Sequence, residues 1–261
     1  MYTIRPLLAE IINMPVIQPP NAETIRQLRS QLSRFSPRQQ TLQASRSVLD
    51  QLLPGGGVRL GGIVEFWGDT GDGATTLSLW MIRQLCRNGG KLAIVDCQRQ
   101  LFPPAIAALG IDLQHTVFVH PQSKRDEIWA LVQCLRCPSV AAVWSCLGKL
   151  DAREYRCLQL AAEEGEGVGV FARPTGIRGQ PTWADVQFMV TPQTANEFVV
   201  SASRRFVVEV MTCQQGTSGK SVTIDMDAIT GEVRPYDAKT NPVCLVPQLA
   251  NPPIGRSATG V

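Results

Sequence analysis

A chain of 261 residues with 44% apolar content can bury one sizeable core, as one large domain or one domain with appendages. Its formal net charge of +3 permits contact with nucleic acid but is too small to argue for it alone. The eight cysteines do not read as a disulfide framework, because Cys86, Cys134, Cys146 and Cys157 sit inside apolar or helical runs and fit a reducing cytoplasm; no apolar run approaches the roughly 18 residues a membrane helix needs.

Residues 1–45 read as an N-terminal arm. Leu7–Val16 carries Glu10 and lacks a small-residue cleavage site, so it makes a poor secretory leader. Asn21 caps an expected helix with Ile25, Leu28, Leu32 and Phe35 on one face. The same segment holds Arg26, Arg29, Arg34 and Arg38, either as a solvated face or as a basic arm for DNA or an acidic partner.

A break at Pro54-Gly55-Gly56-Gly57 precedes the first core strand, Ile63–Trp67. Four more short apolar strands are expected at Lys91–Val95, Thr116–Val119, Val140–Trp144 and Val168–Ala172. Helices are expected at Pro103–Leu109, Asp126–Arg136 and from Asp151 to about Glu164, the last opened by an Asp151/Glu154 capping box. Unalternating apolar strands separated by helices indicate a parallel sheet covered on both faces. After Pro174 the helices stop. Asp185–Val190, Phe198–Ser201, Phe206–Met211 and Val222–Met226 are successive strand candidates and suggest an antiparallel extension. The core is thus bounded at 46–235, and the proline-rich residues 236–261 read as a flexible tail.

The stretch after the first strand carries the chemistry. Gly68-Asp69-Thr70-Gly71-Asp72-Gly73-Ala74-Thr75-Thr76 lies between a strand and an amphipathic run, the context a phosphate-binding loop requires. Gly68 and Gly73 take the two glycine positions, Gly71 lies between them, and Thr75, followed by Thr76, supplies the magnesium hydroxyl. Ala74 stands where the lysine belongs, so backbone N–H groups remain for an anion but no cation reaches the outer phosphates. Gly219-Lys220-Ser221 is a decoy: its first glycine would fall at Gln214, and strands flank it on both sides. Cys134 and Cys137 have zinc-like spacing but no second ligand pair. Core packing is the preferred reading there, His115 and His120 read as loop residues, and no metal is expected.

These motifs resemble a RecA-type ATPase core, and more closely the ImuA branch of RecA-like proteins found in bacterial translesion-synthesis operons. The residues carrying the resemblance are Leu49-Asp50-Gln51-Leu52-Leu53-Pro54-Gly55-Gly56-Gly57, the loop, Phe102-Pro103-Pro104-Ala105 and Gly110-Ile111-Asp112-Leu113. Trp129-Ala130-Leu131, Arg156–Glu163 and Arg173-Pro174 follow in the same order. The resemblance implies an α/β RecA-like P-loop core with antiparallel C-terminal strands. It also places Gln98 where RecA-like recombinases carry the water-activating glutamate, and Trp144 where they carry the magnesium-site aspartate. With Ala74, three positions depart from an active site, which implies a pseudo-ATPase that requires no cofactor, with residual ATP or ADP binding not expected. The stretches after the fourth and fifth strands face DNA in RecA-type filaments. They correspond to Cys146–Ala152 and Thr175–Trp183, and Lys149, Arg153, Arg156 and Arg178 are the candidate DNA or partner contacts, Lys149 with Arg153 and Arg156 along one helix side. The implied role is an SOS-linked accessory protein in DNA repair. Its implied partners are an ImuB-type Y-family polymerase homologue, an error-prone polymerase and RecA filaments. The competing reading is a DNA-dependent RecA- or KaiC-like ATPase.

Overall fold

A computed structural model of the chain describes residues 41–42, 48–53, 56–86, 89–180, 182–193, 203–213, 218–227 and 230–236. The chain divides into two units, Met1–Gln39 and Gln40–Val261, and the described residues all lie in the second. The arm arginines Arg26, Arg29, Arg34 and Arg38, the expected strand Phe198–Ser201 and the tail beyond Tyr236 lie outside the described residues.

Two short strands, β1 (Thr41–Leu42) and β2 (Val58–Arg59), pair antiparallel around a 3-10 turn at Val48–Leu52. The first core strand, β3 (Ile63–Trp67), is buried at every position. Helix α1 (Ala74–Leu85) follows, then β4 (Lys91–Val95), α2 (Pro103–Ala108), β5 (Thr116–Val119), α3 (Lys124–Arg136) and β6 (Val140–Cys146). Helix α4 (Ala152–Gly165) and β7 (Val168–Arg173) complete the alternating part. Strands β8 (Val186–Gln193), β9 (Ser203–Cys213), β10 (Ser221–Asp227) and β11 (Val233–Pro235) close the described chain.

Among the described residues, nine strands form one sheet in the order β11-β10-β9-β8-β3-β7-β6-β4-β5. Pairing is parallel from β8 through β3, β7, β6 and β4 to β5. It is antiparallel from β8 through β9 and β10 to β11. The fold is therefore α/β, with a parallel sheet that changes to antiparallel at its C-terminal side. Asp185–Val190, expected among the strands of the antiparallel extension, is the joint strand β8, antiparallel to β9 on one edge and parallel to β3 on the other. Its apolar face, Val186, Phe188 and Val190, simply continues the core of the parallel strands.

Period-2 alternation divides the core between the two sheet faces. Val64, Phe66, Ala142, Trp144, Val168 and Val170 face α1 together with Leu77, Met81 and Ile82. Ile63, Ala93, Val95, Val143 and Phe171 face α3 and α4 with Leu131, Leu135, Tyr155 and Leu158. Helix ends follow local chemistry. The Asp151 carboxylate accepts from the Glu154 N–H, and the Glu154 carboxylate accepts from the Asp151 N–H, the reciprocal capping box. Ser123 caps α3 through the Asp126 N–H, so that helix starts two residues before the expected Asp126. The Lys124 ammonium reaches Glu154 at 3.0 Å and ties α3 to α4. The segment holding Gly219 is the turn between β9 and β10, as the strand flanks required.

Candidate functional site

The loop Gly68–Gly73 leaves the C-terminal end of β3 and opens α1. Gly73 is the N-cap of α1 with φ of 95°, a left-handed conformation for which glycine is the natural residue, and no side chain caps the helix. A Cβ at Gly73 would overlap the ring of Phe206, which β9 lays against the loop. Arg204, two residues earlier on β9, donates from its guanidinium to the Gly71 carbonyl at 2.9 Å and lies 5.5 Å from the Phe206 ring centroid. One strand of the antiparallel extension therefore holds the loop with a ring and a cation.

The two acids of the loop are internal fasteners. Asp72 accepts from the Asp69 N–H at 2.9 Å, and the Asp72 N–H donates to the Asp69 carbonyl at 3.0 Å. The Asp69 carboxylate accepts from both the hydroxyl and the backbone N–H of Thr175, and the hydroxyl bond foremost holds its carboxyl below the usual range. The segment after β7 is thereby clasped to the loop. Gly68 is buried and its N–H donates to the Arg173 carbonyl at 3.0 Å. Ala74 is 2% exposed, and its methyl lies at the crowded approach to Gly68. Thr75 is exposed and Thr76 half-buried.

Trp144 lies beneath α1, 1% exposed, and its indole N–H donates to the Ser78 hydroxyl at 2.8 Å. Ser78 in turn donates to the Thr75 carbonyl at 2.8 Å. The indole thus fills the space under the first turns of α1 and is wired to the hydroxyl residue of the loop. Gln98 stands exposed in the turn after β4. The neighbouring Asp96 is buried and accepts from the Leu101 N–H at 2.8 Å. Glu127 on α3 accepts from the Ser145 hydroxyl at 3.2 Å at the end of β6. Burial pushes the Glu127 carboxyl up, with Ser145 and Lys124 opposing and Asp96 adding to the rise. A carboxyl raised in the fold keeps its proton where the unfolded chain has lost it, so its charge costs stability as pH rises above the ordinary glutamate range near 4.3. Glu127→Gln is expected to raise the urea midpoint at neutral pH, with the gain vanishing below that range. A pH series of urea titrations checks it.

Lys149, Arg153, Arg156 and Arg178 are all exposed. Lys149 precedes the Asp151 cap, which corrects the expectation that it shares a helix side with Arg153 and Arg156; the helix begins only at Ala152. The Arg156 guanidinium is bonded to Gln159 at 2.6 Å, and that of Arg178 lies 3.5 Å from the Met211 sulfur. Cys134 packs partly against the α3–α4 core while Cys137 is exposed, and no metal-binding group of His, Cys, Asp or Glu occurs among the described residues.

Three elements at the loop were not read from the sequence: Arg204, Phe206 and Thr175. A fourth lies just behind it. The Glu65 carboxylate on β3 is 0% exposed and accepts from Trp67, Tyr155, Arg173, Thr182 and Gln187. Arg173 approaches to 2.6 Å and lies over the Trp67 ring at 5.0 Å. The lone acid inside an apolar strand was the available signal, since a buried carboxylate must find donors.

The strand order, the glycine turn opening α1 and the antiparallel extension define a RecA-like core. The comparisons agree over part of the chain. Residues 26–140 match the RecA N-terminal domain model. The chain is 32% identical over 106 residues to Protein RecA of Nostoc punctiforme, which covers 41% of this chain and 29% of that protein. Against Protein RecA of Rubrobacter xylanophilus the identity is 37% over 90 residues, 34% of this chain and 26% of that protein. The matched stretch spans about three tenths of the length of these curated relatives. No helix among the described residues is long and apolar enough to cross a membrane.

Proposed function

We propose that the chain is a non-catalytic, RecA-like accessory protein of DNA repair, an adaptor in SOS-linked, error-prone translesion synthesis. The observation that carries the non-catalytic reading is how the loop is fastened and backed. Phe206 stands against Gly73, Arg204 holds the Gly71 carbonyl, and Trp144 fills the space under α1 where a magnesium-supporting carboxylate would be needed. Phosphoryl transfer depends on charge placed around the phosphates, and the loop here spends its own charges on fixing itself. The likeness to RecA supports the DNA-repair setting. The ImuA-like motifs support partnership with an ImuB-type Y-family polymerase homologue, an error-prone polymerase and RecA filaments. Lys149, Arg153, Arg156 and Arg178 are the candidate contacts, with DNA as a further partner.

Arg204 favours a second reading. Its guanidinium brings a cation to the loop that lost its lysine, as an ATP-binding, DNA-dependent ATPase of unorthodox design would need. Restoring the lysine separates the two. Ala74→Lys inserts an ammonium at a buried position and leaves Gln98 and Trp144 unchanged, so phosphate release from ATP is expected to stay at background, with stability lowered by about 1–3 kcal/mol from overpacking. Turnover in that single variant would overturn the non-catalytic reading. For the adaptor role, purified chain is expected to bind a purified ImuB-type homologue by surface plasmon resonance, and Arg153→Glu/Arg156→Glu to weaken the complex. Absence of binding refutes the assignment of that partner.

A further inference from the structure

Cys134 and Cys137 stand at the end of α3, and only the first of them is packed. Cys134 lies in the last turn and leans partly on the α3–α4 core, whereas Cys137 is the C-cap and is exposed. Core packing therefore accounts for one thiol and leaves the other in solvent. The Cys137 N–H donates to the Cys134 carbonyl at 3.2 Å, which closes the last turn over the two residues between them. Helix geometry then puts the two Cα atoms about 5 Å apart, inside the range of about 4.4–6.8 Å that disulfides span. Cβ atoms one helical turn apart lie about 5–6 Å from each other and must close to about 4 Å for a bond. That adjustment falls on Cys137, an exposed side chain where the chain leaves the helix with ψ of 114°.

Two thiols alone do not make a structural zinc site, which takes four ligands, and no metal-binding group of three or more His, Cys, Asp or Glu occurs among the described residues. The chemistry open to the pair is with each other. Burial foremost, and then the neighbouring Cys137, push the Cys134 thiol up. Cys137 is thus the first thiol to react and Cys134 the second. We propose that Cys134 and Cys137 form a reversible redox site, closed to an intrachain disulfide by oxidised low-molecular-weight thiols. With glutathione disulfide, the Cys137 thiolate attacks one sulfur, forms a mixed disulfide and expels one glutathione thiolate. Cys134 then gives its proton to solvent, attacks the Cys137 sulfur and expels the second glutathione thiolate. Two protein thiols are oxidised, and one glutathione disulfide becomes two glutathione molecules. The bond would form where α3 meets α4. A Cβ at Gly165 of α4 would run into the Leu135 carbonyl, and Arg136 pairs with Glu164 at 2.9 Å, so the residues between the two cysteines make that contact. The site does not rest on the function proposed above.

The test equilibrates the full chain anaerobically in glutathione buffers of rising disulfide content, followed by acid quench, alkylation and trypsin digestion. Cleavage after Arg136 separates the two cysteines, so the disulfide appears as peptide Asp126–Arg136 joined to peptide Cys137–Lys149. Fragmentation in the mass spectrometer tells Cys137 from Cys146 in the second peptide. Cys157, exposed on α4, is the comparison thiol. Because the second exchange is intramolecular, the joined pair is expected at a glutathione disulfide level at least about tenfold below the one that half-modifies Cys157. Dithiothreitol should reverse it, Cys137→Ser should abolish it, and Cys134→Ser should leave Cys137 as the mixed disulfide. No joined pair, a bond through Cys146, or closure no earlier than the modification of Cys157 would each overturn the proposal.

Discussion

Trp144→Asp, which would place an acid where the proposed reading expects a magnesium-site carboxylate to be missing, is expected to cost more stability than any other substitution at the site. Truncating a buried tryptophan costs about 3–5 kcal/mol, and the new carboxylate adds a desolvation cost at a position 1% exposed to solvent. Ser78 loses its indole donor as well. Against a domain stability of about 5–15 kcal/mol, much of the protein should be unfolded at room temperature. Trp144→Phe keeps most of the volume and loses one hydrogen bond, so a drop of about 1 kcal/mol is expected from that term. Urea unfolding followed by circular dichroism compares the two. Near wild-type stability for Trp144→Asp would mean that water reaches this position, as it does in a working nucleotide site. Under the proposed non-catalytic reading, substituting Ala74, Gln98 and Trp144 together would therefore meet a folding barrier before a chemical one.

The second large effect is expected at the buried pair behind the loop. Arg173 and Glu65 are 2% and 0% exposed, and replacing Arg173 with methionine leaves a buried carboxylate without its countercharge. Breaking such a pair costs about 3–5 kcal/mol. Glu65 would retain the donors of Trp67, Tyr155, Thr182 and Gln187, which favours the lower end of that range. Adding Glu65→Gln should recover part of the loss, because the uncompensated charge is gone. Denaturant titrations of both singles and the double give the coupling directly. Strict additivity of the two singles would show that the pair is not coupled. The hub also connects β3, α4, β7 and β8 just behind Gly68, so its loss should loosen the loop that β3 carries.

The parallel half of the fold was legible because its strands are buried and read as near-continuous apolar runs, Ile63–Trp67 broken only by Glu65 and Val168–Arg173 only by its last residue. The helix starts were legible where a cap is chemical, as at Asp151 and Glu154. The parallel edge of β8 was not legible because its apolar alternation is the same whether its neighbour runs parallel or antiparallel; only β3 on one edge and β9 on the other settle it. The strand–glycine–helix arrangement of the loop was fully written in Gly68–Thr76. What fastens it was not. Arg204 meets Gly71 from 133 residues away, and Thr175 meets Asp69 from 106 residues away. Nothing local in Arg204 or Phe206 distinguishes them from ordinary strand residues. Asp69 and Asp72 are satisfied by Thr175 and by the loop's own N–H group, partners that the loop sequence alone does not show.

The most direct test of the central claim is a calorimetric titration of the purified chain with ATP and magnesium, with phosphate release measured in the same sample. A loop with Ala74 in the lysine's place, backed by Phe206 and fastened by Arg204, predicts no saturable heat and no turnover. Saturable binding accompanied by phosphate release would contradict it and establish the chain as an ATPase.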